Sequence, residues 1–175
     1  MAVPVPVYIG LGSNLGQPVE QIKTAVLALK NLPETKYIND SGLYLSKPLR
    51  LDDAKPDDQS DYYNAVAMLE TSLEPLALLD HLQAIENNQG RVRELRWAAR
   101  TLDLDMLMYA QKQMNDVRLV LPHPGVCQRE FVLYPLQNLC AKLPLSDLQI
   151  SSHVMLSVVI QNCEKNELKY VGEIE

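Results

Sequence analysis

Apolar and polar positions change period several times along the chain, and each change marks an element. Val5 to Leu11 is a short apolar, β-branched run ending at glycine, the pattern of a buried strand. Gly10-Leu-Gly-Ser-Asn-Leu-Gly16 holds three of the seven glycines, so a tight turn or a close backbone approach is expected there. Val19, Ile22, Val26 and Leu29 then recur at helical spacing. Pro18 suits the first turn of that helix and Pro33 ends the pattern. Tyr37 to Leu45 reads as a second strand, 46–61 as a loop and Tyr63 to Thr71 as a third strand. Pro75 opens a second helix with Leu78, Leu79, Leu82 and Ile85 inward, and Gly90 is its stop signal. Leu102 to Tyr109 is a fourth strand, and 132–141 a short helix. The remainder is weakly patterned, with an apolar patch from Val154 to Ile160.

The order β-α-β-β-α-β predicts an α+β fold of the ferredoxin-like, split βαβ kind. Both helices are expected on one face of an antiparallel sheet, leaving the other face for a ligand. At 175 residues the chain is expected to be one domain, 1–175, with residues 146–175 as a C-terminal extension. The apolar fraction of 47% and charged fraction of 22% exclude general disorder. A net charge of −6 argues against nucleic acid or an anionic membrane as partner, since both need a basic footprint. Three cysteines without a C-x-x-C pair fit a reduced compartment. There is no basic leader at the N-terminus and no apolar run near the roughly 20 residues of a membrane span, so a cytoplasmic protein is expected. A monomer is the expected state.

Charge is not spread evenly. Arg91, Arg93, Arg96 and Arg100, four of the seven arginines, fall within ten residues. The guanidinium fork suits phosphate oxygens, although a basic run by itself is most often a solvated loop. The strand after the run changes the weighting. Asp103 and Asp105 stand two apart on it, so both carboxylates point to one face while Leu102, Leu104 and Met106 enter the core. Two adjacent carboxylates repel unless a cation lies between them, and Mg²⁺ is commonly held by one or two carboxylates plus substrate phosphates. An arginine-rich loop feeding such a strand makes sense as a nucleotide–Mg²⁺ site. The bland alternative is a polar outer strand face. The glycine loop is neither G-x-x-x-x-G-K-[ST] nor G-x-G-x-x-G, so it supports no nucleotide-binding claim of its own. His123 lies in Leu-Pro-His-Pro between Arg118 and Arg129. Tyr62 and Asn64 share a strand face, and Phe131 is the only phenylalanine. Two aromatic faces could sandwich a flat ring whose edge an Asn amide reads.

Five pieces of this sequence, in order, carry a resemblance. They are Gly12-Ser-Asn-Leu-Gly16; Asp61-Tyr-Tyr-Asn-Ala65; Glu86 with Gly90-Arg-Val-Arg93; Arg96-Trp-Ala-Ala-Arg-Thr-Leu-Asp-Leu-Asp105; and Leu121-Pro-His-Pro124 with Arg129-Glu-Phe-Val-Leu133. Over residues 6–145 the chain resembles the 6-hydroxymethyl-7,8-dihydropterin pyrophosphokinase family of folate biosynthesis. The resemblance implies that the hydroxymethyl oxygen of the dihydropterin attacks the β-phosphorus of ATP, with AMP leaving. It implies two Mg²⁺ ions on Asp103 and Asp105. It assigns Gln83, Glu86, Arg118 and His123 to the nucleotide, and Arg91, Arg93 and Arg100 to catalysis on its phosphates. It assigns Ser46, Leu49, Tyr62, Asn64 and Phe131 to the pterin. The loops at 46–61 and 90–100 are expected to close over ATP and exclude water. Ala98-Ala99 replaces the family's usual Gly-Pro before Arg100, and Ser46-Lys47-Pro48-Leu49-Arg50 departs from a proline-rich loop start. Two other readings stay open: a paralogue that binds pterin or nucleotide without turnover, and an RNA-binding module of related strand order.

Overall fold

The computed structural model describes residues 2–49, 59–90, 101–143, 145 and 147–175. Residues 50–58 of the expected 46–61 loop and the arginine run at 91–100, with Arg91, Arg93 and Arg100, lie outside the described residues.

Strand β1 (Val5–Ser13) leads into helix α1 (Pro18–Lys30), followed by β2 (Thr35–Asp40), β3 (Leu43–Ser46) and β4 (Tyr62–Thr71). Helix α2 (Pro75–Asn88) precedes β5 (Asp103–Tyr109), and then comes a short hairpin, β6 (Met114–Asn115) with β7 (Val120–Leu121). Helix α3 (Glu130–Lys142) begins the C-terminal part. It continues through β8 (Gln149–Ser151), β9 (Val154–Met155), α4 (Leu156–Gln161) and β10 (Lys169–Gly172). The main sheet is six-stranded in the order β10-β3-β4-β1-β5, with β2 also on β4. Each of its pairings is antiparallel.

The predicted second strand is broken in two. Ser41 interrupts it by giving both its backbone and side chain to Val66: its N–H donates to the Val66 carbonyl and its Oγ accepts from the Val66 N–H. Gly42 then takes φ 75° with a β-carbon position only 2.8 Å from the Gly172 carbonyl, so backbone conformation and space both demand glycine. Strand β1, by contrast, runs two residues further than expected. Gly10 and Gly12 lie within the pleat, paired on one side with Val66 and Asn64 and on the other with Asp105 and Asp103. Only Gly16 has the positive φ of a turn glycine in this stretch.

The core obeys the alternation. Val7, Ile9 and Leu11 of β1, Ala65, Ala67 and Leu69 of β4, and Leu104 and Met106 of β5 face α1 and α2. Ile22, Leu29, Leu78 and Leu82 are fully buried against them, each worth about 1.5–3 kcal/mol of burial. The two expected helices do share one face; what is corrected here is the expectation that the other face is left open. A second cluster on the opposite face joins Tyr8, Val66, Leu107 and Met108 to Val132, Leu133, Leu136 and Leu139 of α3 and to Leu156 and Ile160 of α4. The reason lies in 130–142, whose apolar positions recur at helical spacing and need a second apolar surface. A register shift in the β1–β5 ladder lets Leu107 and Met108 both supply it. The tail also finishes the sheet, with Lys169 and Tyr170 pairing Leu45 and Tyr44. Helices α3 and α4 cover only part of this face. Among the described residues no helix is long and apolar enough to cross a membrane.

Candidate active site

Beyond the N-terminus of α3, the second face opens into a cavity of about 280 Å³. Its floor is β1 at Gly10 and Gly12. The missing side chains leave room between Asn64 on one neighbouring strand and Asp103 and Asp105 on the other. Of the two expectations for this glycine run, the turn falls at Gly16, while Gly10 and Gly12 give the close approach to backbone as a floor. The alternation argument holds for the aspartates: both line the cavity, while Leu102, Leu104 and Met106 are buried.

Ser46, Leu49, Tyr62, Asn64, His123 and Phe131 line the same cavity. Of the fourteen residues singled out in the sequence, these six and the two aspartates are brought together. Asn64 is buried, and its Nδ2 donates to Ser46 Oγ at 2.8 Å and to the Tyr62 carbonyl at 3.4 Å. With the amino group engaged, Asn64 presents its Oδ1 as an acceptor over the Gly12 floor, 3.5 Å from the position of a β-carbon there. The amide is thus narrower in function than its two-sided chemistry allows.

His123 is held by its backbone, whose N–H donates to the Leu107 carbonyl at 2.8 Å, and by its ring, where Nδ1 accepts the Gly125 N–H at 3.0 Å. Burial first, and then the Arg129 charge, push the imidazole below its ordinary pKa, against an opposing contribution from Asp103. At neutral pH the ring is therefore neutral with its proton on Nε2, a donor.

The remaining three described candidates stand outside the cavity lining. Glu86 is 2% exposed, and its Oε1 accepts the Leu104 N–H at 2.7 Å, between the two aspartates. Gln83 lies one turn earlier on α2 and is half-buried. Arg118, in the β6–β7 hairpin, ion-pairs with Asp80 of α2, which ties the hairpin to that helix.

Three of the cavity's polar or charged side chains, Arg129, Lys47 and Gln59, receive no site role from the sequence. Arg129 lines the cavity, with Cζ 5.9 Å from the Phe131 ring centroid; the signal is its place at the head of the Arg129-Glu-Phe-Val-Leu133 piece, where the resemblance gives Arg129 no role. Lys47 and Gln59 line it from the two ends of the 46–61 segment. Lys47 Nζ also pairs with Asp61 Oδ2 at 3.1 Å. Ser13 and Asn14, at the end of β1, fasten the roots of the two neighbouring loops: Ser13 Oγ donates to the Thr101 carbonyl and Asn14 Nδ2 to the Ser60 carbonyl at 3.1 Å.

Hard carboxylate oxygens side by side over a floor without side chains are a donor set that fits Mg²⁺ shared with phosphates. Two aromatics, Tyr62 and Phe131, lining the same cavity as an acceptor amide fit a flat, hydrogen-bonding heterocycle.

The family model described as 7,8-dihydro-6-hydroxymethylpterin-pyrophosphokinase matches residues 8–141. A 2-amino-4-hydroxy-6-hydroxymethyldihydropteridine pyrophosphokinase of Haemophilus influenzae is 48% identical over 151 residues, covering 86% of this chain and 91% of the relative. The protein of the same description from Pseudomonas aeruginosa is 51% identical over 141 residues, covering 81% and 84%. Among solved structures, the wild-type Plasmodium falciparum HPPK-DHPS with pterin and p-hydroxybenzoate superposes with a TM-score of 0.67 at 15% identity. It covers 93% of this chain, which spans 43% of that longer one, and at that identity the likeness bears on the fold.

Proposed function

The chain belongs to the 7,8-dihydro-6-hydroxymethylpterin-pyrophosphokinase family, and from that premise we propose that its cavity transfers pyrophosphate from ATP to the hydroxymethyl group of 6-hydroxymethyl-7,8-dihydropterin, releasing AMP, in folate biosynthesis. The observation that carries the reading is the convergence of Asp103 and Asp105 with Tyr62, Asn64 and Phe131 on one cavity: a place for phosphate-bound cations beside a place for a flat ring. The strand order supports a ferredoxin-like core for this one domain, with the tail as an added edge.

In this reading the pterin lies between Tyr62 and Phe131. Asn64 Oδ1 accepts from a ring N–H, and Ser46 and Leu49 close the pocket wall. The hydroxymethyl group then points toward the aspartates. Asp103 and Asp105 would hold two Mg²⁺ ions with the triphosphate, and that bound charge offsets the negative charge developing on the bridging oxygens. His123 Nε2 donates to phosphate, and Arg129 brings a fixed positive charge to the same side. Arg91, Arg93 and Arg100 are assigned to the phosphates as the resemblance implies, with Gln83 and Arg118 on the nucleotide side; Glu86, which the resemblance also puts there, acts through the Leu104 N–H that its Oε1 accepts. The protein acts by positioning and electrostatics, and the site asks no covalent intermediate of it. We also read it as a cytoplasmic monomer that needs no nucleic acid.

The test is direct: protein, Mg²⁺, ATP and the dihydropterin are incubated and AMP is measured. AMP must form in step with pyrophosphorylated pterin. Pterin binding without AMP would favour the non-catalytic paralogue, and a salt-sensitive RNA shift the RNA-binding module.

One substitution probes the pterin side alone. Asn64→Ala removes a buried acceptor, a loss of about 1–3 kcal/mol or roughly tenfold per 1.4 kcal/mol. The KM for the dihydropterin should rise about 10- to 100-fold while the KM for ATP stays within about twofold. Equal changes in both constants would contradict the assignment. Ser46→Ala should show the same selectivity to a smaller degree, because it frees the amide to turn.

A further inference from the structure

Gly125 is buried in the turn between His123 and α3, and its φ lies outside the left-handed region. Conformational freedom is therefore not what requires glycine there. What a side chain there would disturb is Arg129: a β-carbon at this position would lie 2.4 Å from Arg129 Nε, 2.7 Å from Cζ and 2.9 Å from Cδ. The Arg129 side chain is folded directly over the Gly125 Cα. From there it reaches the cavity wall, with the guanidinium near the Phe131 ring. The same glycine's N–H donates to His123 Nδ1 and so leaves Nε2 as the donor of a ring that lines the cavity.

We propose that Gly125 is a positioning residue for the pyrophosphoryl transfer: its bare Cα seats the Arg129 guanidinium toward the triphosphate while its N–H orients the His123 ring. The proposal rests on the pyrophosphokinase reading. It makes the two cationic or donor groups on this wall of the cavity depend on one position that itself touches no substrate. A methyl group at Gly125 meets the outer half of a flexible side chain and no backbone, so the chain should fold around it and Arg129 should give way. The N–H survives the substitution, so the effect reports on the seat alone.

The experiment is a double-mutant cycle of wild type, Gly125→Ala, Arg129→Ala and the double variant. For each, kcat/KM for ATP, the affinity for a non-hydrolysable ATP analogue with Mg²⁺, and the melting temperature are measured. Gly125→Ala should lower kcat/KM by about 10- to 100-fold, the scale of a group displaced by about 1 Å. It should also weaken the analogue, with a wild-type melting temperature. In the Arg129→Ala background the same substitution should change kcat/KM and analogue affinity by less than about twofold, because coupled residues are non-additive. Unchanged kinetics in Gly125→Ala, or the same loss in both backgrounds, would overturn the proposal. If Gly125→Ala lowers the melting temperature, Arg129→Ala must restore it; a drop of equal size in both backgrounds also overturns it. Wild-type AMP formation is the separate control. Without it the pyrophosphokinase reading falls, and the analogue-affinity cycle still decides whether Gly125 seats Arg129.

Discussion

Alanine at Asp103 or Asp105 should reduce AMP formation by roughly 10³-fold or more, with the melting temperature near that of wild type. Each carboxylate stands on the cavity side of β5, opposite a glycine of β1, with its neighbours Leu104 and Met106 carrying the packing on the other side. Truncating an aspartate therefore removes nothing from either apolar cluster, and a change of this kind outside the core is usually worth less than about 0.5 kcal/mol of stability. The chemistry has no such reserve. Charge on the transferred group must be offset by cations held in place, a contribution of several kcal/mol, or tenfold for each ~1.4 kcal/mol lost. Steady-state assays across a Mg²⁺ titration would check this, and raising Mg²⁺ should not restore the rate. Pterin binding, read from ring fluorescence, should persist, because Tyr62, Asn64 and Phe131 are untouched. Near-normal turnover in either variant would remove the metal assignment and with it the proposed arrangement of substrates.

The aspartate pair was legible because strand alternation is local: two residues apart on one pleat means one face, whatever the strand pairs with. The first two helices were legible for the same reason, each with proline at its start and apolar residues at helical spacing. What could not be read depends on partners distant in sequence. Gly10 and Gly12 fit a turn or a close approach equally until Asn64 and Asp103 are seen flanking them. The split at Ser41-Gly42 had a signal, the turn-forming run Asn39-Asp40-Ser41-Gly42, but its cause is Val66, 25 residues on. β10 has too few residues to show any period, and it exists because the edge of β3 accepts it. Arg129 heads the Arg129-Glu-Phe-Val-Leu133 piece, but its reach into the cavity depends on where its side chain folds, over a glycine four residues earlier.

Glu86→Ala should cost both stability and turnover, and Glu86→Gln should recover much of each. β5 is the edge strand of the sheet on this side, so alternate N–H groups along it point away from β1. The Leu104 N–H is one of them, and Glu86 Oε1 accepts it at 2.7 Å from the last turn of α2. That bond clamps the backbone midway between the two aspartates. Without it a buried donor loses its acceptor, at about 1–3 kcal/mol. In a chain of this size that lowers the melting temperature by about 3–10 °C, on the order of 2–4 °C per kcal/mol. The strand can then shift, and a displacement of about 1 Å at positioned groups costs up to about 100-fold in rate. Glutamine keeps an acceptor oxygen of the same reach but no charge, so it separates a backbone clamp from a charged contact to nucleotide. If the clamp is the role, Glu86→Gln holds the melting temperature and most of kcat, and the loss in Glu86→Ala falls on kcat. If instead Glu86→Gln matches Glu86→Ala in rate, or raises the KM for ATP without moving the melting temperature, the carboxylate is acting on the nucleotide itself and the clamp is incidental.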